Sequence, residues 1–469
     1  MLRIGASIPR GAGGDGVRAI VRNVTVEAPL GIAWDGRLLP RAVENWTWLP
    51  DNLGLRLRLR PKVYFHDGTP LTSDLAASIL TDALKGATSS SIVSVTAEGP
   101  DVVIKTSQPE GFLPADLATV DLVLPNKPAI GIGPFKRVSD DSPIVLDRFD
   151  AYYQGRPAID RIEVINYPTQ RGAWASMMRG QINMLYEVSA DAADFQEAES
   201  AVQTHTFVRA YYIHLLFNLR HPVFKSREVR QALNEAVDKQ RIVDVGMRKR
   251  GMVLDTPVWP FHWAYSAAQR TFAYNPDAAR LRLDAAGYPE GRERVQGRMP
   301  SRFHFTCRVV AGDPALERIA LLVQKQLFDI GVDMEVQPIS FGDMAEKHLF
   351  TGNYEAVLIP TLGSRPLDFL YSVWHSPPRG STRAVQSGYT SADRALDRLR
   401  AAVADDDVRS AVADLQRAFF EDPPAVFLAW TTATRVLTND FQIPDQGPSD
   451  IMPAIRLWQP VRPAVSARK

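Results

Sequence analysis

The chain has 469 residues, of which 45% are hydrophobic and 23% are charged, and its formal net charge is +1. These values lie near the averages for soluble globular proteins, so they exclude a disordered chain and a strongly basic nucleic-acid-binding protein. The length exceeds what one hydrophobic core normally supports and predicts roughly two to four domains. No apolar stretch reaches the ~20 residues that a membrane-spanning helix needs.

The first third of the chain predicts strands and helices in alternation. Residues 2–8 (LRIGASI) predict a strand, and the leucines that alternate over residues 55–59 predict another. Residues 66–68 (HDG) then predict a turn, and Thr72 or Ser73 predicts the N-cap of a helix. These signals describe local structure and carry no chemistry by themselves.

The remaining elements continue the mixture of strands and helices. Further strands are predicted at residues 102–106, 144–149 and 159–167, amphipathic helices at 227–246 and 315–330, and apolar strands at 211–219 (YYIHLLFNL) and 425–430 (AVFLAW). Because the two types of element intermingle, the sequence predicts an α/β or mixed α+β fold. The two apolar strands flank the segment between them and predict a pair of hinge strands if that segment is an inserted domain.

One glycine-rich loop indicates an enzyme. Residues 11–16 (GAGGDG) satisfy G-x-G-x-x-G between a predicted strand and a predicted helix, and Asp35 follows about 20 residues later. An NAD-dependent enzyme is therefore one alternative. Against it, residues 28–40 contain two prolines and two glycines where a second buried parallel strand must run.

Other catalytic and metal-binding patterns are missing from the sequence. Its eight histidines form no H-E-x-x-H motif, and the chain has no G-x-S-x-G elbow and no P-loop lysine motif. The single cysteine, Cys307, lies in an alternating run and is predicted to be a small strand residue. We predict no catalytic residue, no metal site and no cofactor.

Five segments, taken in order, carry a family resemblance. They are residues 57–74 (LRLRPKVYFHDGTPLTSD), 131–153 (GIGPFKRVSDDSPIVLDRFDAYY), 171–183 (RGAWASMMRGQIN), 217–238 (FNLRHPVFKSREVRQALNEAVD) and 274–287 (YNPDAARLRLDAAG). Together they resemble the extracellular solute-binding proteins of ABC importers, family 5, which bind peptides, oligopeptides or nickel.

The resemblance implies a two-lobed fold like that of periplasmic binding proteins, with hinge strands between the lobes. Lobe I is expected at residues 1–30, 126–213 and 430–469, an extra domain packed on it at 31–125, and lobe II at 214–429. The implied protein is a monomer that binds a peptide or peptide-like small solute in the interlobe cleft and presents it to an ABC permease in the membrane. Neither catalysis nor a nucleic acid is implied.

The resemblance also places the ligand contacts, with one departure from the family. After the strand at residues 354–359, its peptide binders carry G-W-x-x-D, whose acid holds the free ammonium group of the ligand. This chain reads Pro360-Thr361-Leu362-Gly363-Ser364-Arg365, and no acid follows until Asp368. A cation at this position disfavours a free-amine peptide and favours an acidic, blocked or non-peptide ligand, unless Asp368 replaces the missing acid.

Four indoles complete the candidate ligand contacts. Trp259, Trp263, Trp374 and Trp430 are each either part of a cleft wall or part of the core. The candidate ligand-binding residues are therefore Thr361, Leu362, Gly363, Ser364, Arg365, Asp368, Trp374, Trp430, Trp259 and Trp263.

The resemblance implies a periplasmic or extracytoplasmic location. Residues 1–10 have no apolar core of the kind found in a secretory leader, and no cysteine that could carry a lipid follows them. This leaves an intracellular ligand sensor on the same fold as a second alternative.

Overall fold

The computed structural model describes residues 1–7, 16–86, 91–188, 201–292, 300–363, 365–377 and 384–461. The chain divides into two compact units. The first unit contains residues 1–34, 38–208 and 433–469, and the second contains residues 35–37 and 209–432.

The strands, in chain order, are β1 (Leu2–Ser7), β2 (Leu30–Ile32), β3 (Leu38–Pro40), β4 (Val43–Trp48), β5 (Gly54–Leu59), β6 (Ile92–Glu98), β7 (Asp101–Thr106), β8 (Val123–Leu124), β9 (Lys127–Gly131), β10 (Phe135–Ser139), β11 (Ile144–Arg148), β12 (Arg161–Tyr167), β13 (Met184–Val188), β14 (Val202–Phe217), β15 (Gly251–Val253), β16 (Phe303–Val310), β17 (Val332–Ile339), β18 (Ala356–Leu362), β19 (Ala425–Thr438), β20 (Phe441–Gln442) and β21 (Gln459–Pro460).

The α-helices are α1 (Gly16–Thr25), α2 (Ser73–Ala83), α3 (Leu113–Leu117), α4 (Gln170–Met178), α5 (Pro222–Lys225), α6 (Arg227–Ala236), α7 (Lys239–Arg241), α8 (Pro276–Ala285), α9 (Pro314–Asp329), α10 (Phe341–Asp343), α11 (Asp368–Trp374), α12 (Asp393–Ala401) and α13 (Asp405–Glu421). Short 3-10 or π segments lie at Leu84–Gly86, Ile242–Gly246, Met344–Leu349 and Met452–Leu457.

Two sheets with separate cores make up most of the first unit. One has the order β10-β11-β12-β1-β13 and continues into the C-terminal part of β19; β1 is parallel to both β12 and β13. Its core includes Ile4, Val164 and Trp458. The other is an antiparallel sheet with the order β4-β5-β7-β6, and its core includes Leu55 and Phe65.

The turn and cap predicted after β5 are confirmed. Gly68 has a φ of +89°, the left-handed conformation that suits glycine. The Thr72 hydroxyl accepts a hydrogen bond of 3.2 Å from the Leu75 amide, so Thr72 is the N-cap of α2. The two local signals therefore specify how the chain leaves the sheet and enters the helix.

The second unit is built on the N-terminal part of β19 and the strands β14, β18, β16 and β17 in that order, with β15 also paired to β19. Cys307 lies in the strand β16, as predicted. This strand alternates strictly between buried and half-buried residues, and Cys307 occupies one of its buried positions. Burial raises the pKa of the Cys307 thiol to about 12, so this group is no nucleophile.

The predicted helix at residues 227–246 is wrong in its length. Helix α6 ends at Ala236, and Val237 and Asp238 have extended backbones. The Asp238 carboxylate accepts a hydrogen bond of 2.9 Å from the Arg241 amide, so it caps a new turn instead of continuing the old one. Short acidic side chains compete with the helix backbone in this way, which apolar periodicity does not reveal.

An aromatic cluster fills the second unit where β14 and β19 meet. We use this name for Tyr212, His214, Trp374, Phe419, Phe427, Trp259 and Trp430. All of these side chains are buried. The Trp374 indole donates a hydrogen bond of 3.0 Å to the Tyr212 hydroxyl, which satisfies two polar groups in an apolar region.

The mixed α/β fold class is confirmed. The three-part division into lobe I, an extra domain and lobe II stays a prediction, because the structure divides the chain into two units. Asp35–Arg37, expected within the extra domain, belong to the second unit. In the part of the chain that the structure describes, no helix combines the length and the apolar character needed to cross a bilayer.

The Thr72 cap gives a first test. Thr72→Ala should lower the free energy of unfolding by about 1 kcal/mol because it leaves amide groups at the start of α2 without an acceptor. Thr72→Ser keeps the hydroxyl and should behave like the parent protein in the same urea titration. Equal losses in both variants would contradict the assignment of the cap.

The buried His214 gives a second test. Desolvation lowers the pKa of His214 from 6.5 to about 3. As the pH falls below about 6.5, His214 takes up a proton in the unfolded chain but not in the folded one, so stability is lost as the pH falls towards 3. Between pH 7 and pH 5 the loss from this group should be about 2 kcal/mol.

Replacing the His214 imidazole with a ring that does not titrate should remove the contribution of this residue to the loss of stability between pH 7 and pH 5. Urea titrations at pH 7 and pH 5 should show a smaller loss for His214→Phe than for the parent protein. His348→Phe, which replaces a histidine outside the aromatic cluster, is the matched control and should keep the parental difference. An unchanged difference in His214→Phe would show that His214 does not titrate as inferred.

Candidate functional site

The antiparallel pairing of β14 with β18 fixes where the predicted ligand-binding segment lies. Tyr211 lies opposite Leu362 and Tyr212 lies opposite Thr361. Beyond the last strand residue, the Gly363 amide donates a hydrogen bond of 2.7 Å to the Ala210 carbonyl. Tyr211 and Leu362 are exposed at 41% and 39%, whereas Tyr212 is buried, so the pair of strands has one open face and one core face.

Gly363 allows the chain to pass directly over an indole. A Cβ atom at this position would lie 2.7 Å from the ring of Trp430, closer than non-bonded atoms approach. The Trp430 ring also contacts Trp259 and Tyr212, with centroid separations of 5.2 Å in both cases. The glycine therefore places the segment against the aromatic cluster.

Arg365 lies near the Trp259 indole. Its guanidinium carbon is 5.7 Å from the centroid of the Trp259 ring, within the range of a cation–π interaction. Its carbonyl packs against Gly36, where an added Cβ would lie 2.5 Å from that oxygen and where φ is +81°. The Arg365 backbone is thus held from one side by a glycine that no other residue replaces without strain.

The chain then passes through a strained residue into a helix. Leu367 is buried and has a φ of +71°, which is uncommon for a residue other than glycine, asparagine or aspartate. It immediately precedes Asp368, the first residue of α11. A carboxylate in the first turn of a helix is stabilised by the helix dipole. Trp374, the last residue of the same helix, enters the aromatic cluster.

Trp263 belongs to a separate cluster of charged residues. Its half-buried ring has the Arg37 guanidinium at 3.8 Å and the Arg409 guanidinium at 5.2 Å from the centroid. Arg37 also forms an ion pair of 2.8 Å with Asp405. The structure therefore places two cations against the Trp263 ring, a setting that its sequence neighbours do not indicate.

The structure brings most of the predicted residues together. Thr361, Leu362, Gly363 and Arg365 form one segment beside Trp259 and Trp430, and α11 joins Asp368 to Trp374. Trp259, Trp374 and Trp430 are buried, so they occupy core positions in this structure, and a ligand contact for them stays a prediction. Ser364 lies outside the described residues.

Sequence reasoning missed Tyr211 and Tyr212 as site residues. Both lie in the apolar run that predicts β14, and strand alternation alone assigns them to opposite faces. What it does not assign is their partner strand. Without the pairing of β14 with β18, nothing in the sequence connects Tyr211 to Leu362.

The described residues give little support to the alternative of an NAD-dependent enzyme. The loop at residues 11–15 lies outside them, and Gly16 begins α1. Asp35, the proposed ribose-binding acid, belongs to the second unit, where its carbonyl accepts a hydrogen bond of 3.0 Å from the Trp263 amide. Within the described ranges, no cluster of three or more His, Cys, Asp or Glu residues is arranged to hold a metal ion.

Comparison with protein families identifies one match over most of the chain. Residues 37–381 match the model described as "Bacterial extracellular solute-binding proteins, family 5 Middle". This match includes every predicted ligand-binding residue except Trp430.

Two curated relatives are similar over shorter stretches. The oligopeptide-binding protein AppA of Bacillus subtilis is 26% identical over 332 residues, which cover 64% of this chain and 61% of AppA. Heme-binding protein A of Haemophilus influenzae is 27% identical over 249 residues, which cover 52% of this chain and 41% of that protein. The matched part of the chain thus spans less than two thirds of the length of either relative.

Solved structures with the same fold cover almost the whole chain. NikA from Brucella suis in complex with Fe(III)-EDTA has a TM-score of 0.81 at 19% identity and covers 98% of this chain and 100% of its own. AppA from Bacillus subtilis in complex with a nonapeptide has a TM-score of 0.76 at 22% identity, with coverages of 98% and 99%. At these identities the likeness shows the fold alone, whereas the family match rests on sequence. The chain belongs to the bacterial extracellular solute-binding proteins of family 5.

Proposed function

We propose that this protein is the receptor of an ABC importer, which binds a peptide or a peptide-sized solute and presents it to a membrane permease outside the cytoplasm. The proposal rests mainly on the family match over residues 37–381. The names of the relatives agree with this role, since AppA is an oligopeptide-binding protein and was solved with a nonapeptide. The proposed role requires selective binding and no chemical step.

We infer that β14 and β19 act as hinge strands, because both carry the chain from one unit into the other. A ligand shifts a conformational equilibrium only by the difference between its affinities for the two conformations. A receptor that signals its loaded state to a permease therefore needs ligand contacts that exist in one conformation and not in the other. Bending at a few strand residues is sufficient for such a change.

The finer proposal concerns the ligand. Arg365 occupies the segment where peptide binders of this family carry an acid, and its guanidinium lies near the Trp259 ring. Two like charges about 4 Å apart near a protein surface repel each other by about 4 kcal/mol. We infer that the ligand presents a carboxylate or another anionic group to Arg365 and that a free ammonium group does not bind there.

Asp368 provides the alternative within the same proposal. Asp368 lies in the first turn of α11, and a carboxylate can accept hydrogen bonds from an ammonium group. Only three positions separate it from Arg365. If Asp368 faces the ligand, a free peptide should bind. If Arg365 faces it, an acidic or blocked peptide should bind instead.

Thermal unfolding with a panel of ligands tests the receptor proposal. The panel contains free peptides, N-acetylated peptides, acidic peptides and nickel–histidine chelates. A ligand present at 100 times its dissociation constant should stabilise the protein by about 2.7 kcal/mol. Stabilisation by acidic or acetylated peptides alone assigns the contact to Arg365, and stabilisation by free peptides assigns it to Asp368. No response to any peptide or chelate would contradict the proposal of a peptide or solute receptor.

Variants at residue 365 test the residue directly. With an acidic ligand, Arg365→Ala should raise the dissociation constant roughly 10- to 100-fold in calorimetry, because it removes a charged hydrogen bond. Arg365→Lys keeps the positive charge but loses the bidentate donor geometry, so it should lose less affinity than Arg365→Ala. Arg394→Ala changes an exposed arginine on α12 and should leave the affinity unchanged. Parental affinity in Arg365→Ala would rule out the contact.

A further inference from the structure

The second unit contains a cavity that the proposed receptor function does not use. It has a volume of about 320 Å³ and is lined by residues of α6 and α8, the end of α13 and the segment before α8. This volume lies at the lower end of the roughly 300–1,000 Å³ typical of small-molecule sites. None of its lining residues belongs to the segment around Arg365 or to the aromatic cluster.

A closed polar network forms one part of the lining. Arg282 on α8 donates two hydrogen bonds, of 3.0 and 2.7 Å, to the Glu235 carboxylate on α6 and a third, of 3.1 Å, to the Gln231 side-chain oxygen. The Gln231 amide donates in turn to the Glu421 carbonyl at the end of α13. Since these charges and dipoles satisfy one another, this part of the cavity is rigid and close to neutral.

An apolar wall lies beside this network. The half-buried rings of Phe272 and Phe420 lie 4.7 Å apart between centroids, with an interplanar angle of 30°. The Arg270 guanidinium carbon lies 4.7 Å from the centroid of Phe420. The ring positions the guanidinium at the cavity while leaving its N–H groups at the guanidinium edge available.

Two charged groups at this cavity have no ion pair in the described residues, and a third has only a weak one. Within the ranges that the structure describes, Arg270 has the Phe420 ring as its contact and the Glu421 carboxylate has no ion pair. Arg227 has an ion pair with Glu228, but at 3.6 Å and with both side chains about half exposed this contact is weak. The cavity thus presents two cations, one carboxylate and an apolar wall.

We propose that this cavity binds a free amino acid with an apolar side chain. Arg227 and Arg270 bind its carboxylate, Glu421 accepts hydrogen bonds from its ammonium group, and its side chain packs on Phe272 and Phe420. A zwitterion matches the mixed charges, whereas a simple anion would be repelled by Glu421 and a simple cation by the two arginines. The volume of the cavity favours a single residue over a peptide. The site is independent of the one at Arg365.

L-Phenylalanine is the probe for this site. Calorimetry on the full chain should show that phenylalanine binds at one site. The analogues 3-phenylpropionate and phenethylamine each lack one of the two charges, so their dissociation constants should be at least about tenfold higher than that of phenylalanine. Affinity for the two analogues equal to that for phenylalanine would overturn the assignment of a zwitterion. Absence of phenylalanine binding would overturn the site.

Paired substitutions locate the binding event. Arg270→Gln and Glu421→Gln should each raise the dissociation constant of phenylalanine at least about tenfold. The controls Arg394→Gln and Glu346→Gln remove the same charges from exposed positions outside the cavity and should leave it unchanged. Binding that survives in Arg270→Gln and Glu421→Gln but is lost in Arg365→Ala would place the amino acid at the peptide site and refute the second site. If the protein binds phenylalanine but no peptide, the peptide-receptor proposal fails and the amino-acid site does not. The two proposals can therefore fail separately.

Discussion

The candidate site depends on one constraint, the register in which β14 pairs with β18. Tyr212 lies opposite Thr361, and the Ala210 carbonyl of β14 accepts a hydrogen bond from the Gly363 amide, so the same register holds one step past the end of β18. Because successive strand residues point to opposite faces, a shift of one residue would exchange the buried Tyr212 with the exposed Tyr211. The buried hydroxyl–indole hydrogen bond between Tyr212 and Trp374 opposes such a shift, since either group alone would lose its partner.

The aromatic cluster makes this part of the second unit rigid. Edge-to-face contacts join Tyr212, Trp430 and Trp259, and His214 is held neutral within the same cluster because burial disfavours its charged form. The proposed binding segment rests on this platform and should keep its shape without a ligand, which would reduce the entropy lost on binding. Gly363 and Gly36 have a related role, since each lets another group approach where a side chain would collide.

Both proposed binding regions use an arginine held against an aromatic ring. Arg365 lies by Trp259 and Arg270 lies over Phe420. A guanidinium is weakly hydrated and planar, so it stacks on a ring and still donates hydrogen bonds from its edge. The difference lies in the surroundings. At the cavity Glu421 is proposed to bind the ligand together with the cations, so that ligand carries both charges, whereas the ligand proposed for Arg365 presents an anionic group.

Local structure was determined by the sequence. The Gly68 turn, the Thr72 cap and the strand position of Cys307 follow from left-handed glycine, capping chemistry and alternation, which act over a few neighbouring residues. The ordered motifs between residues 57 and 287 likewise indicated the family, which the match over residues 37–381 confirms. The break at Asp238 shows the limit of periodicity, because a side chain that caps the next turn overrides a continuous apolar stripe.

Tertiary structure decided which residues meet. That Trp259, Trp374 and Trp430 are buried, that Trp263 contacts Arg37 and Arg409, and that Phe272 meets Phe420 all depend on contacts between residues far apart in the chain. Composition and spacing carry no information on such contacts, since the same tryptophan suits a core and a binding surface. The pairing of strands and the packing of helices make that choice, because they alone determine which side chains lose their contact with water.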